Sequence, residues 1–194
     1  MKKFIALVVL IMSAATTMYA QESKVENRTD SNAQKEAERA RAKAEEQVSD
    51  AVLYENAVAA LKAHQFVLEA DRVIFRNGRT AFVNSGTNFV LINQERGTVQ
   101  VAFNTTHPGP NGIGGVTVDG TNSDMEITTD KKGNVNCRFS IQGIGISAQV
   151  FITLINGGNS ATVTVSPNFN SNTLTLDGTL VPLDQSNIYK GRSW

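Results

Sequence analysis

A chain of 194 residues, 41% of them hydrophobic, can bury one core, so disorder along the whole length is excluded. Its 18 Lys and Arg balance 18 Asp and Glu, which gives no electrostatic ground for nucleic acid as a partner. The one cysteine, Cys137, cannot form an internal disulfide, so stability must come from packing.

Lys2 and Lys3 precede an apolar run over residues 4–12, and small and polar residues follow to Ala20. This order predicts a secretory signal peptide over 1–20, too short and wrongly flanked for a membrane span. An uncleaved anchor is the alternative. Met18 is larger than the residue usual at the −3 position, so the cut after Ala20 is left open. No cysteine follows to carry a lipid. The expectation is a soluble protein, periplasmic or secreted, with no integral membrane span after cleavage. Residues 21–31 are polar and aperiodic and read as a disordered spacer.

Residues 32–64 are rich in Ala, Glu, Lys and Arg, which predicts a helix capped by Ser31 or Asn32. The first half has almost no apolar face and should be solvated, with pairs such as Glu36 and Arg39. In the second half Ala51, Tyr54, Val58 and Leu61 recur at helical spacing. That half, from about Val48, should dock. The composition also suits a coiled coil, but no long heptad is sustained.

From Phe66 the period changes to two, and residues 65–194 read as one β domain. Asn77-Gly78 marks a hairpin. A second turn is expected around Gln94–Gly97. A glycine loop over 109–114 should feed a short strand, Gly115–Val118, that turns at Asp119-Gly120. The remaining runs bring the total to eight or nine strands joined by short Asn- and Gly-rich turns. The fold class is mainly β: an antiparallel meander, either a flattened barrel or a sandwich, preceded by an N-terminal α-helix. Alternation places Val135, Cys137, Phe139 and Ile141 on one face. It does the same for Ile146, Ala148, Val150, Ile152 and Leu154, and for Ala161, Val163 and Val165. The opposite faces carry Ser, Thr, Asn and Gln, and either meet solvent or line a polar cavity.

Catalytic constellations are wanting. Cys137 lies on an inward face, where a thiol acts as a small hydrophobe. His64 closes the helix, and His107 lies in a loop beside Pro108. Asp119, Asn122, Asp124 and Glu126 faintly suggest a calcium loop, but lack the EF-hand order of ligands and read better as a turn. Glu69, Asp71, Glu95, Asp124 and Asp177 are scattered, with nothing to pair them for hydrolysis. The glycine stretch has no third glycine, following helix or Walker lysine with which to hold a phosphate. No catalytic, cofactor-binding or metal residue is assigned.

The segments "ALKAHQFVLEADRV", "NSGTNFVLINQERGTVQVAF", "GIGGVTVDG", "QGIGISAQVFITLI", "SATVTV" and "LDGTLVPLDQSNIYKGRSW" resemble domain-of-unknown-function family 4251. Its members are small exported proteins abundant in Bacteroidetes. The resemblance runs from about Ala57 to the C-terminus and implies an exported, mostly β domain. Many members look like lipoproteins, from which this chain departs. The family has no established activity, so no site residue is carried over. The reading is a non-enzymatic domain that binds a ligand or an envelope partner. The alternatives are an assembly protein using the charged helix, or a hydrolase with carboxylates gathered across strands.

Overall fold

The computed structural model describes residues 34–103, 112–143, 147–168 and 173–192. The expected signal peptide, the spacer, His107, Ile146 and the first part of the glycine loop lie outside them. The chain divides into two compact units, Met1–Val48 and Ser49–Trp194. Helix α1, residues 34–62, contributes to both. In the first unit, residues 34–48 are helical and exposed, in keeping with their charged composition.

The second unit is built on nine strands: β1 (Gln65–Phe75), β2 (Thr80–Phe82), β3 (Phe89–Asn93), β4 (Arg96–Ala102), β5 (Gly115–Thr129), β6 (Val135–Gly143), β7 (Ser147–Leu154), β8 (Ser160–Pro167) and β9 (Leu174–Pro182). Each pairs antiparallel with its neighbour in the order β2-β1-β3-β4-β5-β6-β7-β8-β9. β9 then pairs back with β1, from Phe66 opposite Pro182 to Phe75 opposite Leu174. Eight strands therefore close a barrel and β2 is an extra strand beside β1. Closure leaves the eight without a bare edge, which a sandwich would not do.

Two devices make the seam possible. β1 shares one edge between partners, pairing Gln65–Glu69 with β3 and Arg72–Ile74 with β2. Its register against β9 shifts between Ala70 and Arg72, so Asp71 is an extra residue that bends the strand. Gly178 sits opposite this bulge, where an added Cβ would lie 1.9 Å from the Glu69 carbonyl oxygen.

The Asn77-Gly78 turn is present, with Gly78 at φ 79 and the Arg79 N–H donating to Asn77 Oδ1. Two turn assignments need correction. Between β3 and β4 only Gln94 and Glu95 turn; Gly97 is already in β4, opposite Ile92. It faces inward, and an added Cβ would lie 2.9 Å from the Ile141 side chain. Asp119-Gly120 is no turn either. β5 runs unbroken for 15 residues, with Gly97 opposite Gly120 on one side and Gly143 on the other. The break in its pattern comes later, between Ser123 and Glu126, where Asp124 takes φ 58. A bulge keeps a polar, turn-like sequence within one strand.

The inward faces of β6, β7 and β8 follow the alternation. Val135, Cys137, Phe139, Ile141, Ala148, Val150, Ile152, Leu154, Ala161, Val163 and Val165 are all buried. One end of the barrel holds the turns β3–β4, β5–β6 and β7–β8, and the last turns of α1, from Tyr54, dock there. Ala57, Ala60 and Leu61 enter the barrel's core cluster, with Tyr54 and Val58 packed against it. Tyr54 Oη donates to the Gly133 carbonyl in the β5–β6 turn, and the Gln94 N–H donates to the His64 carbonyl at 2.7 Å. The docked face begins at Tyr54. Ala51, Val52 and Leu53 are exposed, because only the last turns of α1 reach the barrel's end.

After β9 a short 3-10 helix, η1 (Leu183–Gln185), leads into a tail that crosses the outside of β1, β3, β4 and β5. Ser186 Oγ donates to Glu69 Oε1 at 2.6 Å, and Lys190 pairs with Asp119 at 2.7 Å. Gln100 is fully buried beneath the tail. Its Nε2 donates to the Thr87 and Tyr189 carbonyls, and its Oε1 accepts from Thr117 Oγ1 and the Gly191 N–H.

Candidate functional site

The barrel is filled unequally along its axis. Toward α1 most of the inward residues are large: Phe66, Leu68, Ile92, Phe139, Ile152, Leu154 and Leu180 are fully or almost fully buried. Phe66 and Phe139 meet edge to face with ring centroids 6.5 Å apart. Toward the far end the inward positions of β4, β5, β7 and β8 carry smaller side chains: Val99, Val101, Val116, Val118, Ala148 and Val165. Eight strands enclose just enough room for side chains to fill, so small residues in one half leave space there.

That space is a cavity of about 850 Å³. Its wall includes the six residues just named together with Phe75, Phe103, Ile141, Pro167 and Leu174. The rings of Phe75 and Phe103 lie 5.5 Å apart, beyond the end of the short β3. Val116 is 41% exposed although it points into the cavity, so this end of the barrel is open. Among the described residues, the polar members of the lining are Arg76, Asn77 and Thr173, from the β1–β2 turn and the approach to β9. The Ser, Thr, Asn and Gln faces of the strands point the other way, to the outside. Asn136 with Thr153, and Thr162 with Asp177, are cross-strand pairs of that outer surface.

Alternation identified Ile141, Ala148 and Val165 among the lining residues, but it assigned no face to β4 or β5, and nothing in it marked a cavity. Side-chain size gave only a partial signal, because Val135, Cys137 and Ala161 stand toward α1 while Phe75, Phe103, Ile141 and Leu174 line the cavity.

The other residues considered for chemistry have structural surroundings. Cys137 is buried, and burial pushes its thiol up to about 12, so it stays neutral and unreactive. His64 takes φ 55 just after α1, and its N–H donates to the Leu61 carbonyl, a helix-ending arrangement. In the 119–126 segment Asp119 accepts from Thr98 and pairs with Lys190, while Glu126 pairs with Arg138. Asn122 Nδ2 donates to the Gln94 carbonyl, and its Oδ1 is buried without a partner. Asp177 accepts from Arg72 and Thr162, and Glu69 from Ser186. Asp130 is held below the usual carboxylate range, chiefly by the Asn134 side chain, with the Asn134 and Lys132 N–H groups also donating to it. Among the described residues no group of three or more His, Cys, Asp and Glu is placed to hold a metal ion.

Comparison with curated proteins finds no match. Among solved structures, the chain is similar to a crystal structure of a DUF4251 family protein from Bacteroides eggerthii. The two share 75% sequence identity at a TM-score of 0.65, over 76% of this chain and 99% of that one. The family model for a domain of unknown function, DUF4251, matches residues 49–180, which takes in the docked turns of α1 and the barrel through most of β9. The chain belongs to the DUF4251 family.

Proposed function

We propose that this domain is a non-enzymatic binding protein that holds an apolar small molecule in the open half of its barrel. The observation that carries this reading is the roughly 850 Å³ cavity walled by Val, Ile, Leu and Phe. Ligand pockets span about 300–1,000 Å³ and are mostly apolar with a few placed polar groups. The β1–β9 seam supports it, because a closed wall keeps its shape when the interior is only partly filled. The proposal also includes export. Residues 1–20 serve as the signal peptide, and the domain acts in the periplasm or outside the cell. No helix among the described residues is long and apolar enough to cross a membrane.

Fluorescence of N-phenyl-1-naphthylamine, a neutral apolar dye, tests the binding reading. Titration with the purified chain should give saturable enhancement. Val118→Phe with Val165→Phe, which fill the space from β5 and β8, should weaken it by about tenfold or more while thermal melting stays cooperative. Absence of saturable binding, or dye affinity indifferent to the filling, would overturn the reading. N-terminal sequencing of the protein released by cells should begin at Gln21.

A further inference from the structure

The cavity is broad for its depth. Among the described residues, its wall on β4 runs from Val99 to Phe103, just beyond the strand, which at about 3.3 Å per residue is ~13 Å. On β8 it runs only from Val165 to Pro167, about 7 Å. A space of about 850 Å³ within that depth averages roughly 65 Å² or more across. Building on the apolar-ligand reading, we infer that the ligand is a compact fused-ring or cage hydrocarbon skeleton rather than a single straight chain.

The width argues against a single chain. Alkyl carbons pack about 4 Å apart, so one extended chain fills roughly 20 Å² of cross-section. β4 and β8 stand opposite each other in the ring of eight strands, which makes Val101 and Val165 facing walls. A chain lying against one of them leaves the other without van der Waals partners. Binding also freezes the torsions along a chain, whereas a ring skeleton enters already ordered. A rigid body that spans the space touches both walls and loses little freedom in doing so.

The depth argues against paired chains, which would match the width. Membrane-lipid chains span half of a hydrocarbon core about 30 Å thick, so part of each would stand in water beyond so shallow a wall. The wall's chemistry argues against polar ligands of the same bulk. Val99, Val101, Val116, Val118, Ile141 and Ala148 offer only hydrocarbon. A glycan or a peptide would bury hydroxyl or N–H groups that these side chains cannot bond. Any polar substituent of the skeleton belongs at the end that faces the mouth.

Displacement of N-phenyl-1-naphthylamine by alcohols matched in carbon number tests the inference. Decahydro-2-naphthol is compared with decanol, and cyclododecanol with dodecanol. Scaled by octanol–water partition, each ring alcohol should displace the dye about tenfold more effectively than its linear partner. Val116→Leu, at the half-exposed mouth, and Ala148→Leu, on β7, narrow the space. Either should cut that preference by about threefold or more while melting stays cooperative and the linear alcohols bind as before. Dihexanoylphosphatidylcholine, with two short chains, should displace the dye less than either ring alcohol on the same scale. Equal or stronger displacement by the linear alcohols, stronger displacement by the two-chain lipid, or a ring preference that both narrowed variants retain would overturn the inference and leave the apolar-ligand reading standing. Failure of every compound to displace the dye, or failure of the dye to bind, would overturn both.

Discussion

Gln100 and Tyr189 are joined by a hydrogen bond of 2.7 Å from the glutamine side-chain amide to the tyrosine backbone carbonyl, across 89 residues of sequence. The Gly191 N–H returns a bond to the same glutamine at 2.8 Å. The side chain therefore clasps the C-terminal tail at two backbone groups while its remaining bonds anchor it to Thr87 and Thr117. Gln100→Ala would leave the Tyr189 carbonyl and the Gly191 N–H without their partner. A loss of about 1–3 kcal/mol in denaturant unfolding is expected, with faster amide exchange at Gly191. Unchanged exchange there would show that Gln100 does not hold the tail.

Gly97 and Gly178 both face crowded positions, but the obstacles differ. A Cβ at Gly178 meets the Glu69 carbonyl oxygen at 1.9 Å, and backbone at the bulge cannot step aside. A Cβ at Gly97 meets the end of the Ile141 side chain at 2.9 Å, which can rotate toward the partly empty half of the barrel. Overpacking of a core costs about 1–3 kcal/mol. Gly178→Ala should fall at or above the top of that range and Gly97→Ala near the bottom. Chemical denaturation of both variants checks the order.

Cys137 ties stability to alkaline pH. Its folded thiol is pushed up to about 12 by burial, against an ordinary value of 9.0. Above pH 9 the unfolded chain gives up the proton while the folded chain keeps it, so the unfolded state binds fewer protons and stability falls as pH rises. The contribution is complete below about pH 9 and is lost progressively toward pH 12. Cys137→Ala should flatten this decline in melting temperature relative to the parent chain. A thiol reagent at pH 8 should react with Cys137 only as fast as the barrel opens.

Tyr54 fastens α1 to the turn between β5 and β6 through its bond to the Gly133 carbonyl. Tyr54→Phe keeps the ring against the core and removes only the hydroxyl. The expected cost is about 0.5–1.5 kcal/mol in unfolding experiments. A larger loss would mean that the helix contributes more through this one bond than through Ala57 and Leu61.

Much of this architecture can be read from period and turn chemistry. Val135, Cys137, Phe139 and Ile141 alternate cleanly, and all four are buried. The Asn77-Gly78 turn follows from the backbone freedom that its φ of 79 requires. Where local reading failed, a tertiary partner decided. Gly97 resembles a turn residue in sequence, yet it is glycine because Ile141 and Ile92 crowd its inward side. Asp119-Gly120 resembles a turn as well, but β4 and β6 pair with it on both sides and keep β5 extended. The candidate site was hidden for a different reason. A cavity is a deficit of volume summed over several strands, and no single stretch of sequence reports that sum.

The seam between β1 and β9 has a consequence for how the chain becomes native. Arg72 and Asp177, whose ion pair crosses that seam, stand 105 positions apart. The ring cannot shut until its final strand has been made, and contacts this distant are associated with folding in milliseconds to seconds rather than microseconds. Until then β1 and β8 each lack a neighbour. A chain cut short before Leu174 would keep both edges bare, so premature termination should yield an aggregating species and not a smaller barrel.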